Sequence, residues 1–107
     1  MIRLNLSNRP EWLDLLPGLR VLVADDNRDA AESMGEWLSA FGAETIVVHD
    51  GHAALTMAQM HLPHVALLDL GMPELSGLEV AQRLRMTAAP FATLYRIGGD
   101  EFGMIVE

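Results

Sequence analysis

Cysteine and lysine are both absent from this chain of 107 residues. Without cysteine there is neither a disulfide nor a thiolate metal site, and the redox compartment is left open. Without lysine, all seven basic residues are arginine. Fifteen acids outweigh them, for a net charge of −8. That balance excludes nucleic-acid binding by the chain itself, because phosphate contacts need clustered Lys and Arg. No apolar run reaches the length of a membrane span, and the N-terminus lacks the long apolar region of a signal peptide, so the expectation is a soluble, cytoplasmic chain with no membrane partner. Half of the residues are hydrophobic, enough for the core of one domain over residues 1–107.

What is present centres on Val65-Ala66-Leu67-Leu68-Asp69, followed by a loop that carries Gly71, Pro73 and Gly77. A short apolar run bounded by turn residues predicts a buried strand of a parallel sheet with Asp69 at its carboxyl end. Leu19-Arg20-Val21-Leu22-Val23-Ala24 runs into Asp25-Asp26-Asn27 in the same way. Open α/β sheets bind ligands at the carboxyl ends of their strands. If the two strands are neighbours, three carboxylates converge there and repel one another unless a proton or a cation lies between them. Oxygen ligands of this kind suit magnesium, which keeps several waters and binds through one or two carboxylates and a substrate phosphate. The residues by themselves point to a magnesium-assisted phosphoryl site.

Asp25-Asp26 after one strand, Asp69 after another, and Met72-Pro73 followed by Ser76-Gly77 resemble the receiver domain of two-component response regulators over about residues 19–86. The resemblance implies Asp69 as phosphoacceptor and Asp25, Asp26 and Asp69 around Mg2+, with Gly71 contributing its backbone carbonyl. It also implies a histidine kinase or phosphotransfer protein as partner. The expected fold is α/β and flavodoxin-like, a three-layer parallel sheet in the order 2-1-3 plus C-terminal strands.

Helices are expected from about Arg28 to Phe41, after Asp50-Gly51, and from about Ser76 to Met86. Their inward residues are expected to be Ala30, Met34, Trp37, Leu38 and Phe41 in the first, Leu55, Ala58 and Leu62 in the second, and Val80, Ala81 and Leu84 in the third. Asn27 caps the first helix, Gly42 closes it, and Pro63 stops the second. Residues 1–18 form an N-terminal extension, in which Ile2, Leu4 and Leu6 alternate like a short strand and a helical turn runs from Pro10 to Leu16. Trp12, Leu13, Leu15 and Leu16 need cover.

After the third helix a receiver would continue through two more strands and helices, bearing the family's Thr or Ser and its Lys. Here Phe91–Ile97 and Phe102–Val106 read instead as two strands joined by Gly98-Gly99-Asp100-Glu101, a hairpin. Residues 91–107 thus complete a receiver truncated after its third helix. The segment from Leu94 to Phe102 resembles the signature hairpin of diguanylate cyclases, the GGDEF domain, and on that resemblance Gly98, Gly99, Asp100 and Glu101 are candidate remnants of a nucleotide site, although turn chemistry explains Gly-Gly-Asp without a ligand. Nothing else of a cyclase is present, Ala89 and Ala92 stand where an inhibitory Arg-x-x-Asp would be, and cyclase activity is not expected.

Lacking the family's lysine and switch hydroxyl, the chain reads as an impaired phosphoacceptor module. The alternatives are a recombined or truncated fold without signalling activity, or the remnant of a receiver and cyclase fusion. Thr93 and Tyr95 lie in the tail with no assigned register. His49, His52, His61 and His64 form two His-x-x-His pairs without a closed metal-ligand set. An apolar hairpin without covering helices favours a homodimer, by edge pairing or with swapped segments.

Overall fold

The computed structural model describes residues 2–5, 14, 16–86, 92–98 and 101–105. Its elements in chain order are β1 (Ile2–Asn5), β2 (Arg20–Ala24), α1 (Arg28–Ala40), β3 (Glu44–Val48), α2 (Gly51–His61), β4 (Val65–Asp69), α3 (Gly77–Arg85), β5 (Ala92–Gly98) and β6 (Glu101–Ile105). They form one six-stranded sheet in the order β1-β6-β5-β4-β2-β3. Strands β3, β2, β4 and β5 run parallel, and β6 and β1 are added antiparallel. The flavodoxin-like order 2-1-3 is therefore the segment β3-β2-β4.

Alternation along the strands divides the core between two faces. Leu22, Ala24, Ala66 and Leu68 pack with Ala54 and Ala58 of α2 and Val80, Ala81 and Leu84 of α3. The intervening Val21, Val23 and Leu67 pack with Ala31 and Leu38 of α1. Helix α1 thus covers one face, and α2 and α3 cover the other, as right-handed crossovers require. Leu16 is buried in the α1 cluster, which is the cover the sequence demanded for it. Trp12, Leu13 and Leu15 lie outside the described residues, as does the expected turn through most of its length.

The helix ends follow the local sequence. Asn27 accepts the Ala30 N–H, Asp50 accepts the Ala53 N–H, and Ser76 with Glu79 forms a reciprocal capping box. Gly42 closes α1 at a φ of +96°, a conformation that Gly adopts without a Cβ penalty. Leu62 caps α2 in the left-handed region with Pro63 behind it.

Two helix faces are rotated from expectation. In α1 the buried residues are Ala31, Gly35 and Leu38, with Met34 and Phe41 half-covered, while Trp37 is 36% exposed. The cause is close approach, because a Cβ on Gly35 would lie 2.7 Å from Val47 Cγ2. A glycine facing the sheet draws the helix in along its own side and turns the larger Trp37 outward. In α2 the small residues Gly51, Ala54 and Ala58 face inward, Leu55 is partly buried and Leu62 is exposed.

The hairpin expected at the C-terminus is present as β5 and β6, and β1 pairs with the outer edge of β6 from Ile2↔Met104 to Asn5↔Glu101. That edge is consequently occupied within the chain.

Candidate functional site

Asp25 follows β2 and Asp69 ends the adjacent parallel β4, with Ala24 in register with Leu68. Asp26 comes next in the chain. Ligand oxygens of these three residues all lie within 4.8 Å of one another. They are the one such group of acidic and histidine side chains among the described residues. The two strands deliver their acids to the same face. Asp25 continues the alternation Val21, Val23 and Asp69 the alternation Val65, Leu67, so both belong to the α1 face. A cleft lined by Val23, Asp25, Ala30, Met34, Leu67 and Asp69 opens there.

Local bonds set two of the three carboxylates. The Asn27 N–H donates to Asp25 Oδ1 at 3.0 Å, and the Gly71 N–H donates to Asp69 Oδ1 at 3.1 Å. Both are Asx turns, in which a carboxylate folds back on the backbone two residues later and holds the loop at the strand end. The Asp25 backbone is pinned on either side: its N–H donates to the Val48 carbonyl at 3.2 Å, and its carbonyl lies 3.2 Å from His49 Nδ1. Since a carbonyl only accepts, His49 donates from Nδ1. Asp25 is buried, Asp69 is half-buried and Asp26 is exposed, so one acid is fixed and another is open to solvent.

This geometry fits a hard divalent cation. In octahedral Mg2+ coordination, ligand oxygens at about 2.1 Å from the ion stand no more than roughly 4.2 Å apart. A spread of up to 4.8 Å accommodates two direct carboxylates and a third reached through water. Without an ion, three acids so close destabilise the strand ends. Asp25→Asn keeps the Oδ1 acceptor for Asn27 while removing a charge. We expect it to raise metal-free stability by about 1 kcal/mol, roughly 4–8 °C in the thermal midpoint in EDTA. A lower midpoint would show that the fold itself uses this charge.

Behind the site stands Gly77, whose hypothetical Cβ would collide with the carbonyl of Asp69. The sequence marked Gly77 only as a motif residue; the contact itself depends on α3 docking against β4. His49 carried no sequence signal for its bond to Asp25, which depends on the pairing of β3 with β2. The other histidines are distributed elsewhere. His64 Nδ1 accepts the Arg20 N–H at 2.9 Å, and His52 lies on the surface 3.9 Å from Glu74.

Register assigns the tail. Thr93 pairs with Ala66, Leu94 with Leu67, Tyr95 with Leu68 and Arg96 with Asp69. Gly98 pairs with Glu101 at the end of the hairpin, whereas Gly99 and Asp100 lie outside the described residues.

A family model of the response regulator receiver domain matches residues 21–95. The chain belongs to this family. As a receiver domain of two-component signalling, it is similar to response regulator MprA of Mycobacterium avium (strain 104), with 44% identity over 69 residues. Those residues are 64% of this chain and 30% of that protein, so the receiver match spans under a third of the curated relative. Among solved structures, it is similar to the signal receiver domain of the putative response regulator NarL from Mycobacterium tuberculosis. The TM-score is 0.67 at 38% identity, over 74% of this chain and 65% of that one. The chemotaxis response regulator CheY4 of Vibrio cholerae gives 0.67 at 28% identity, over 73% and 67%. The family model ends at residue 95, before Gly98, Gly99, Asp100 and Glu101. No helix among the described residues is long and apolar enough to cross a membrane.

Proposed function

We propose that this receiver domain is a phosphoacceptor module in which Asp69 takes the phosphoryl group, with a histidine kinase or phosphotransfer protein as donor. The observation that carries the reading is the convergence of Asp25, Asp26 and Asp69 within 4.8 Å at two adjacent strand ends. An Asp69 carboxylate oxygen attacks phosphorus, the bond from phosphorus to the donor breaks, and the donor leaves with that electron pair. Asp25, Asp26 and Asp69, with the Gly71 backbone carbonyl, would hold Mg2+, and the ion would offset the charge of the phosphoryl oxygens. In-line transfer depends mainly on positioning and charge neutralisation, so a site without lysine accepts the group more weakly than one with it.

A second reading is a recombined fold, or a remnant of a receiver and cyclase fusion, that keeps the acids without signalling. It is favoured by the position of the family match, which ends at residue 95. Gly98, Gly99, Asp100 and Glu101 of the GGDEF-like segment lie beyond that end. A homodimer with exchanged segments belongs to either reading; the occupation of the β6 edge by β1 leaves the hairpin faces as its physical basis.

The test is calorimetric titration of the full chain with Mg2+, followed by beryllofluoride, a stable mimic of the phosphoryl group. The phosphoacceptor reading expects Mg2+ to bind, beryllofluoride to bind only with it, and Asp69→Asn to abolish the second step. Mg2+ binding without any response to beryllofluoride would favour the non-signalling fold.

A further inference from the structure

Where the pairing of β2 with β3 stops, a side chain carries it on. The paired register ends at Ala24↔Val48, and the chain then turns from β3 into α2 with Asp50 as the N-cap. One residue beyond that pair, the Asp25 N–H donates to the Val48 carbonyl at 3.2 Å, and His49 Nδ1 donates to the Asp25 carbonyl at the same distance. The half-buried imidazole thus ties the end of β2 to the end of β3.

The carbonyl that His49 holds belongs to the peptide joining Asp25 to Asp26. A peptide group is planar, so a donor fixed on its oxygen fixes the plane from which the Asp26 Cα leaves the strand. The other two acids are set through their carboxylates, by the Asn27 N–H on Asp25 and the Gly71 N–H on Asp69. Asp26 is exposed, yet its ligand oxygen lies within 4.8 Å of theirs. Repulsion between like charges would turn such a side chain out into solvent if its backbone did not hold it in place.

We propose that His49 is a positioning residue of this site, setting the peptide between Asp25 and Asp26 so that Asp26 stands beside Asp25 and Asp69 as the third acid for Mg2+. The metal half of the inference rests on the phosphoacceptor reading, and the placement of Asp26 does not. His49 lies outside the acidic group and acts on it through a main-chain carbonyl. Outer partners of this kind orient metal ligands, and their loss typically weakens metal binding by about 10–100-fold.

The first arm of the test needs no ion. Thermal midpoints are measured on the full chain in EDTA, at low salt and in buffer alkaline enough to leave histidine uncharged, for Asp26→Asn, His49→Ala and the pair. Neutralising Asp26 is expected to raise the midpoint in the wild-type background, because it relieves repulsion from Asp25 and Asp69. The rise is smaller once His49 is gone and Asp26 can swing outward. Equal shifts in both backgrounds would overturn the inference, whatever His49→Ala does to stability by itself.

In the second arm, calorimetric titration in the same buffer without EDTA is expected to show Mg2+ bound about ten-fold more weakly by His49→Ala. His49→Leu keeps the bulk without the donor; it shows the same loss and replaces the alanine variant in both arms if that one does not fold. His49→Asn carries an amide N–H near the place of Nδ1 and recovers most of the affinity. A role in packing alone would lower the midpoint of His49→Ala and leave Mg2+ affinity unchanged, which overturns the proposal, as does an asparagine variant that binds no better than alanine. A wild-type chain that binds no Mg2+ would instead sink the metal site of the phosphoacceptor reading. Coupling in the first arm then keeps His49 as the residue that places Asp26, and its absence removes that role too.

Discussion

Gly77→Ala is expected to destabilise the domain by about 1–3 kcal/mol and to weaken Mg2+ binding with it. At an exposed helix position the opposite sign would be expected, because alanine is favoured over glycine by about 1 kcal/mol. Here an added Cβ would strike the carbonyl oxygen of Asp69, lie 2.8 Å from its carbon and stand 3.1 Å from Leu68 Cβ. Two of these neighbours are backbone of a strand paired on both sides, so they have little freedom to give. Helix α3 must move away from β4 instead, and the strand end that presents Asp69 moves with the loss of that support. Urea unfolding of Gly77→Ala beside Leu78→Ala, an exposed neighbour on the same helix, separates this contact from any general weakening of α3. A more stable Gly77→Ala would show that α3 does not press on the strand.

A comparable loss is expected at Leu68, one residue before Asp69. Leu68 is 1% exposed and packs in the cluster that joins β2 and β4 to α2 and α3. Truncation to alanine removes buried methyl groups and leaves a cavity that close-packed neighbours fill only in part, at a cost of about 2–5 kcal/mol. Against a typical domain stability of about 5–15 kcal/mol, that is a large fraction. Equilibrium urea unfolding should show a lower midpoint with an unchanged slope. Leu70, 38% exposed just beyond the strand, serves as the comparison, and Leu70→Ala should cost well under half as much. Similar losses at both positions would mean that the strand is not buried as described.

Both predictions concern the same few residues for a physical reason. Asp69 is carried on a strand whose preceding residue anchors one core and whose following loop is held by the Gly71 N–H. Helix α3 closes against it with no space for a side chain at Gly77. The phosphoryl chemistry proposed for Asp69 requires the carboxylate to stay near Asp25 and Asp26 despite their mutual repulsion. Packing behind the acid supplies that constraint.

Much of this was legible in the residues themselves. Apolar runs ending in acids announced β2 and β4, and the cap at Asn27 and the helix starts at Asp50 and Ser76 announced the helices, because capping and burial are local in sequence. Asp25, Asp26 and Asp69 were identifiable as a set for the same reason: each stands where a buried strand meets a loop. The inward faces of α1 and α2 were not legible, since small residues such as Gly35, Gly51 and Ala54 won those positions through close approach to the sheet and Leu75, which hydrophobicity alone does not rank. The pairing of β1 with β6, the bond from His49 to the Asp25 carbonyl and the register of Arg96 against Asp69 were likewise decided only in three dimensions. Each joins residues far apart in the chain, and a strand's alternation gives its two faces but not its neighbour. The sequence by itself determined that Asp25, Asp26 and Asp69 stand at strand ends; the tertiary structure decided that those strands are neighbours and so brought the three acids within 4.8 Å of one another.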